Sequence, residues 1–302
     1  EALADGPATA EAVAAACGTH PDATRKLLDA LAAARYLHQK RGAYALSTSA
    51  RRWLLAGSPR SLTGKMEFHR DEWAFAEGLT PFIRTGEPLR LHDRLSPDGW
   101  ARYQHGMRDL AWLSAPEVAR RLPLPEGARR LLDLGGAHGL YAAALCARHP
   151  ALEASVVDLP EAVAASAPLL EGTPGAARVR FQAGDVVTAD LGYGTVDGVL
   201  MANLAHHLSA EENRDVAHRV ARALRPGGTF AVLEWVRAEE GKRTPRTGFG
   251  PLLGLYFALT SRSGTWAASE VAAWHQEAGL RVEKARWLRT LPGTALLLSR
   301  KA

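Results

Sequence analysis

Asp133-Leu134-Gly135-Gly136-Ala137-His138-Gly139 decides how this chain reads. A short apolar run, Leu131–Leu134, stops at paired glycines, and a helical pattern, Leu140–His149, begins directly after them. Strand, glycine turn and helix together aim backbone N–H groups and the positive end of a helix dipole at an anionic ligand. Gly135 and Gly136 let the backbone approach that ligand closely. The three-glycine dinucleotide spacing is not met, because the glycines fall at 135, 136 and 139. An amino-acid carboxylate suits this helix end as well as a phosphate does. Asp133, just before the turn, is placed to hold a ligand's ammonium group, directly or through water.

Downstream, strands and helices alternate. Ala154–Asp158 reads as a strand, Glu161–Leu170 as a helix, Val179–Ala183 and Val196–Met201 as strands. Ala210–Leu224 reads as a helix ending at Pro226-Gly227-Gly228, Thr229–Glu234 as a strand and Ser269–Ala278 as a helix. Val282–Arg289 and Thr294–Ser299 are two last strands around Pro292-Gly293. The pattern predicts an α/β fold with a doubly wound, mostly parallel sheet and an antiparallel last strand. Asp158 ends the second strand about 20 residues past the turn, where a carboxylate accepts from ribose hydroxyls. A third acid, in Gly184-Asp185-Val186, follows the third strand, where it can accept from an adenine amino group beside an apolar neighbour. Acids at successive strand ends mark the crevice where open α/β sheets bind ligands.

Upstream, residues 1–57 read as three helices and a hairpin, a winged helix. Thr9 caps Ala10–Cys17; Pro21 starts a helix to about Tyr36 with Leu27, Leu28 and Leu31 on one face. Such a unit binds DNA or serves dimerisation. Its second helix carries only Arg25, Lys26 and Arg35 as basic residues, without a base-reading stripe, so no nucleic-acid partner is expected. Residues 58–127 form a helical linker interrupted by prolines and rich in aromatics, several of which suit an apolar substrate pocket.

The chain has 302 residues and a net charge of +5, with its arginines scattered as on a solvated surface. No apolar run approaches the roughly 20 residues of a membrane span, so no membrane partner is expected. Cys17 and Cys146 read as buried free thiols, which sets a reducing, cytoplasmic compartment as the expectation. The chain opens without Met, in what reads as the middle of a fold, so a truncated N-terminus is expected.

With these motifs in place, the chain resembles a class I S-adenosylmethionine-dependent methyltransferase. More narrowly it is similar to the O-methyltransferase family of plant phenylpropanoid and bacterial polyketide tailoring enzymes. The resemblance rests on Asp133–Gly139, Val157-Asp158-Leu159-Pro160, Gly184-Asp185-Val186, the segment through His206, and Leu224-Arg225-Pro226-Gly227-Gly228 followed by Leu233-Glu234. Tyr103-Gln104-His105-Gly106-Met107 resembles the family's substrate-side helix. It implies a winged-helix dimerisation domain at 1–57, a pocket-lining linker at 58–127 and a Rossmann-like domain at 128–302, assembled as a homodimer. It implies S-adenosylmethionine as cofactor, held by Asp133, Gly135, Gly136, Gly139, Asp158, Leu159, Gly184, Asp185 and Val186. It also implies that His206 is the general base and Glu234 the acid that orients it.

The acceptor is expected to be a small aromatic or polyketide-like hydroxyl compound, with Trp73, Tyr103, Met107, Trp112 and Phe257 as pocket candidates. A phenol (pKa about 10) and an imidazole (about 6.5) are matched for proton removal during transfer. The sequence departs from the family at His207, where Asp is frequent, at Leu208, at Thr265, where an acid is expected, and at His138 within the turn. Two further readings stay open: C-, N- or carboxylate methylation on the same scaffold, and a cofactor-sensing DNA-binding regulator. Adjacent side chains on a helix point about 100° apart, so His206 and His207 do not chelate one ion, and no metal is expected.

Overall fold

The computed structural model describes residues 1–239 and 249–302. The N-terminal unit begins with β1 (Ala8–Thr9), α1 (Ala10–Cys17) and α2 (Pro21–Ala33). It continues with β2 (Leu37–Lys40), β3 (Ala43–Leu46) and α3 (Thr48–Trp53). Thr9 caps α1 by accepting from the Ala12 N–H at 3.3 Å, and Gly18 ends it in the left-handed conformation (φ 64°). The three strands form an antiparallel sheet in the order β1-β3-β2. Two helices precede the hairpin and the third, α3, follows it, while Ala8–Thr9 adds a short strand beside β3. Leu28 is buried in the core of this unit and Leu31 packs against it, whereas Leu27 is exposed. Cys17 is also exposed, against the expectation of a buried thiol. It ends a short helix whose buried side is carried by Ala10, Val13 and Ala14.

The linker supplies α4 (Thr63–Glu77), α5 (Leu79–Thr85), α6 (Leu91–Arg94) and α7 (Pro97–Arg121). Ser96 caps α7 through the Gly99 N–H. The third unit runs β4 (Arg130–Leu134), α8 (Leu140–Arg148), β5 (Glu153–Asp158), α9 (Pro160–Ser166) and β6 (Val179–Ala183). It goes on through β7 (Val196–Ala202), α10 (Ala210–Ala223), β8 (Leu224–Arg237) and α11 (Phe249–Thr260). It closes with β9 (Trp266–Ala267), α12 (Ala268–Glu277), β10 (Leu280–Val282), β11 (Arg286–Trp287) and β12 (Thr294–Lys301).

These strands form one sheet in the order β10-β12-β8-β7-β4-β5-β6. From β6 through β8 the pairing is parallel, and β12 joins β8 antiparallel. Every residue of β7 is buried, as a central strand covered on both faces must be. One apolar core lies between the sheet and the α7/α8 side, the other under α10 and α12. The segment read as a single strand, Val282–Arg289, divides into β10 and β11, both paired with β12. The chain order reverses beside β4, so the crevice beyond its carboxyl end is the topological switch point.

Candidate active site

The turn after β4 is built for close approach. Gly135 has φ 64°, and a Cβ there would lie 2.9 Å from Leu204. A Cβ on Gly136 would lie 2.5 Å from the Asp133 carboxyl carbon. Ala137 also takes a positive φ (46°) and donates its N–H to Asp158 Oδ2 at 2.8 Å. The Leu159 N–H donates to Asp158 Oδ1 at 2.8 Å. Each oxygen keeps a lone pair for a ligand hydroxyl. Burial pushes the Asp158 carboxyl up to about 6, against those two backbone donors.

A groove of about 300 Å³ runs over Gly135, Asp158, Leu159, Gly184, Asp185 and Val186. Asp185 is exposed and accepts from the Val187 N–H at 2.8 Å, while Val186 is buried. The groove therefore offers an acceptor pair at Asp158, a further acceptor at Asp185 and apolar walls. Those groups fit the ribose, amino group and ring of an adenosyl ligand.

Two of the expected cofactor residues stand elsewhere. Asp133 is fully buried and lines neither cavity. It sits beneath Gly136. Burial, with help from Asp158, pushes its pKa up to about 8. Gly139 lines neither cavity; a Cβ there would lie 3.0 Å from Phe181, so this glycine serves helix-against-strand packing.

A larger, mostly apolar cavity of about 830 Å³ adjoins the turn. Tyr103 and Met107 of α7 and Phe257 of α11 line it, and Trp73 borders it while 79% exposed. Trp112 does not: it is 38% exposed, and the Arg108 guanidinium lies 5.7 Å from its ring centroid. On α7 it falls on the face turned from the cavity, a distinction that composition alone does not carry.

His206 lines the same cavity from a 3₁₀ turn, Ala205–His207, that follows β7. Its Nδ1 lies 2.8 Å from Glu234 Oε1 on β8, and its backbone N–H donates to Glu234 Oε2 at 3.3 Å. The Trp235 N–H also donates to that carboxylate. A carboxylate only accepts, so the ring proton sits on Nδ1 and Nε2 is left as the basic nitrogen. Phe257 stacks on the imidazole at 3.6 Å between centroids and 15° between planes. Ring orientation is thus fixed from two sides.

Around this pair stand the two departures at His207 and Thr265 and three residues that sequence reasoning missed, His92, Ser261 and Glu72. His207 Nδ1 is hydrogen-bonded to Ser261 Oγ, and its ring meets that of His92 edge-on at 4.8 Å. His92 stacks on Trp100. Burial lowers the pKa of both, His92 to about 4 and His207 well below the ordinary histidine value. Thr265, where the family pattern has an acid, is buried and donates to the Gly250 carbonyl. At the α4 side of the cavity, Glu72 accepts from Lys65 and Tyr256 at 2.8 Å each and also pairs with His69. Among the described residues no cluster of side chains is arranged to hold a metal ion.

Comparison with known proteins places this geometry. Residues 61–281 match the family model described as an O-methyltransferase domain, and residues 1–56 match an O-methyltransferase dimerisation domain. The N,N-dimethyltransferase OxyT of Streptomyces rimosus is 27% identical, covering 99% of this chain and 88% of the relative. The 3-hydroxy-5-methyl-1-naphthoate 3-O-methyltransferase of Streptomyces sahachiroi is 26% identical, covering 92% and 81%. Human N-acetylserotonin methyltransferase, solved in complex with SAM, superposes with a TM-score of 0.87 at 21% identity, covering 100% of this chain and 90% of that one.

Proposed function

The chain belongs to the O-methyltransferase family and is an S-adenosylmethionine-dependent methyltransferase, and from that premise we propose that His206 takes the proton of an aromatic hydroxyl as it is methylated. The observation that carries this reading is the Glu234–His206–cavity line: a carboxylate on Nδ1, and a basic Nε2 on a ring that lines an apolar chamber. When bound, S-adenosylmethionine supplies an electrophilic methyl group. Asp158 would accept from the ribose hydroxyls and Asp185 from the adenine amino group, Leu159 and Val186 would hold the rings, and the turn at Gly135–Ala137 would hold the amino-acid tail.

The chain's own work is then positional. Tyr103, Met107 and Phe257 hold a flat acceptor by its faces and keep water from the reacting oxygen. Glu234 stabilises the imidazolium that forms as His206 takes the proton. The cavity suits a polycyclic, polyketide-like phenol, a reading supported by the naphthoate named for one relative. We read the assembly as a homodimer through residues 1–56, supported by the dimerisation-domain match. The unpaired Cys17 and Cys146 support a cytoplasmic setting.

The deciding experiment is His206→Ala, assayed with a panel of hydroxynaphthoates alongside calorimetry with S-adenosylhomocysteine. Turnover should fall by about 10²–10⁴-fold, the usual worth of general-base catalysis, with product binding retained. Undiminished turnover would remove the base assignment.

A further inference from the structure

His138 has no part in the chemistry above, yet it stands in the turn itself. The imidazole is 5% exposed. Its Nδ1 accepts from the Leu140 N–H at 3.1 Å, so the ring proton resides on Nε2. That backbone N–H is the one protein group hydrogen-bonded to the ring among the described residues. Burial holds the ring neutral, with a pKa lowered to about 3, and the nearby Arg108 acts in the same direction. His138 lines the large cavity, not the groove, beside Tyr141 and next to the first turn of α8. A neutral N–H donor in an apolar wall is costly to leave unmet. The helix end beside it favours a negatively polarised oxygen. Asp133 does not compete, because it lines neither cavity.

We propose that His138 Nε2–H is a ligand donor that binds a carboxylate oxygen at the start of α8: that of the cofactor's amino-acid tail or one carried by the acceptor. The assignment rests on the methyltransferase reading and adds a residue to it. His138 cannot share the role of His206, since Nδ1 is occupied by a backbone donor and Nε2 already carries the proton. It acts by holding, and so belongs to affinity.

The test compares wild type, His138→Leu and His138→Gln, whose side-chain amide returns an N–H near the Nε2 position. Calorimetry with S-adenosylhomocysteine is set against 5′-methylthioadenosine, which lacks the amino-acid tail. If the oxygen is the tail carboxylate, His138→Leu weakens S-adenosylhomocysteine about tenfold, His138→Gln restores most of it, and methylthioadenosine is unchanged. If the oxygen is the acceptor's, S-adenosylhomocysteine binds all three alike. The Leu variant, loaded with it, then loses 1-hydroxy-2-naphthoate about tenfold while 1-naphthol is unaffected. Equal losses for S-adenosylhomocysteine and methylthioadenosine would mean a distorted turn and overturn the proposal. So would unchanged S-adenosylhomocysteine binding together with unchanged, or absent, naphthoate binding. A wild-type protein that fails to bind S-adenosylhomocysteine at all would instead strike the functional reading.

Discussion

Asp133 lies under the glycine turn, fully buried, and burial with help from Asp158 pushes its pKa up to about 8. An unfolded Asp ionises at about 3.9, so between those values the folded state holds the extra proton. Stability contributed by this group is present at low pH and is lost as pH rises through that window. Asp133→Asn removes the ionisation. Cofactor-free Asp133→Asn should therefore melt several degrees above wild type at pH 8, with the gap shrinking steadily and closing only as the pH falls to about 4, as differential scanning fluorimetry can show. A constant gap across that range would refute the assignment of the proton. The pairing of His206 with Glu234 was legible only through the family resemblance, because 28 residues separate them and spacing of that size carries no geometry. His92 and Ser261 were not legible at all: each reaches the site from an element whose position only packing decides.

At the scale of elements, periodicity read well. Thr9 caps α1 as its position predicts, and β4 to β7 fall where short apolar runs place them; β8 contains the expected run Thr229–Glu234 but reaches from Leu224 to Arg237, taking in the Pro226-Gly227-Gly228 read as the helix end. What failed were short pieces fixed by partners far along the chain, namely β1 and the division of β10 from β11. One such long-range tie joins the linker to the sheet. Glu117 of α7, almost fully buried, accepts from the Arg289 and Thr290 N–H groups and the Thr290 hydroxyl, and pairs with Arg121. Burial opposes its ionisation, but these donors hold its pKa below the usual carboxylate range. Glu117→Ala would orphan several of them, and urea unfolding should report a loss of about 1–3 kcal/mol. No change in the unfolding midpoint would show that water replaces the carboxylate at no cost.

For the molecule as a whole, the alternation of elements was enough to give the doubly wound sheet and its antiparallel last strand, since few connections satisfy it. Pairing between two chains is another matter, because a surface is not written in periodicity. Leu27 and Tyr36, 60% and 47% exposed, leave apolar area on the N-terminal unit. Light scattering after size exclusion should give twice the 32.5 kDa mass of the chain. A monomer at micromolar concentration would exclude the homodimer.

The groove and the cavity differ in what they are made of. Strand ends, with their backbone amides and the Asp158 and Asp185 carboxylates, shape the inner wall of the first; side chains projecting from α4, α7 and α11 shape most of the second. Mutation replaces side chains and leaves peptide groups in place, so the two compartments are free to drift at different rates. A lineage carrying this scaffold can exchange one acceptor for another through changes such as those at Met107, Trp73 or Leu252 while its means of holding the methyl donor stays as it was. Chemical diversification across descendants is thus inherited from a division of labour between a groove set at strand ends and a cavity walled by helix side chains.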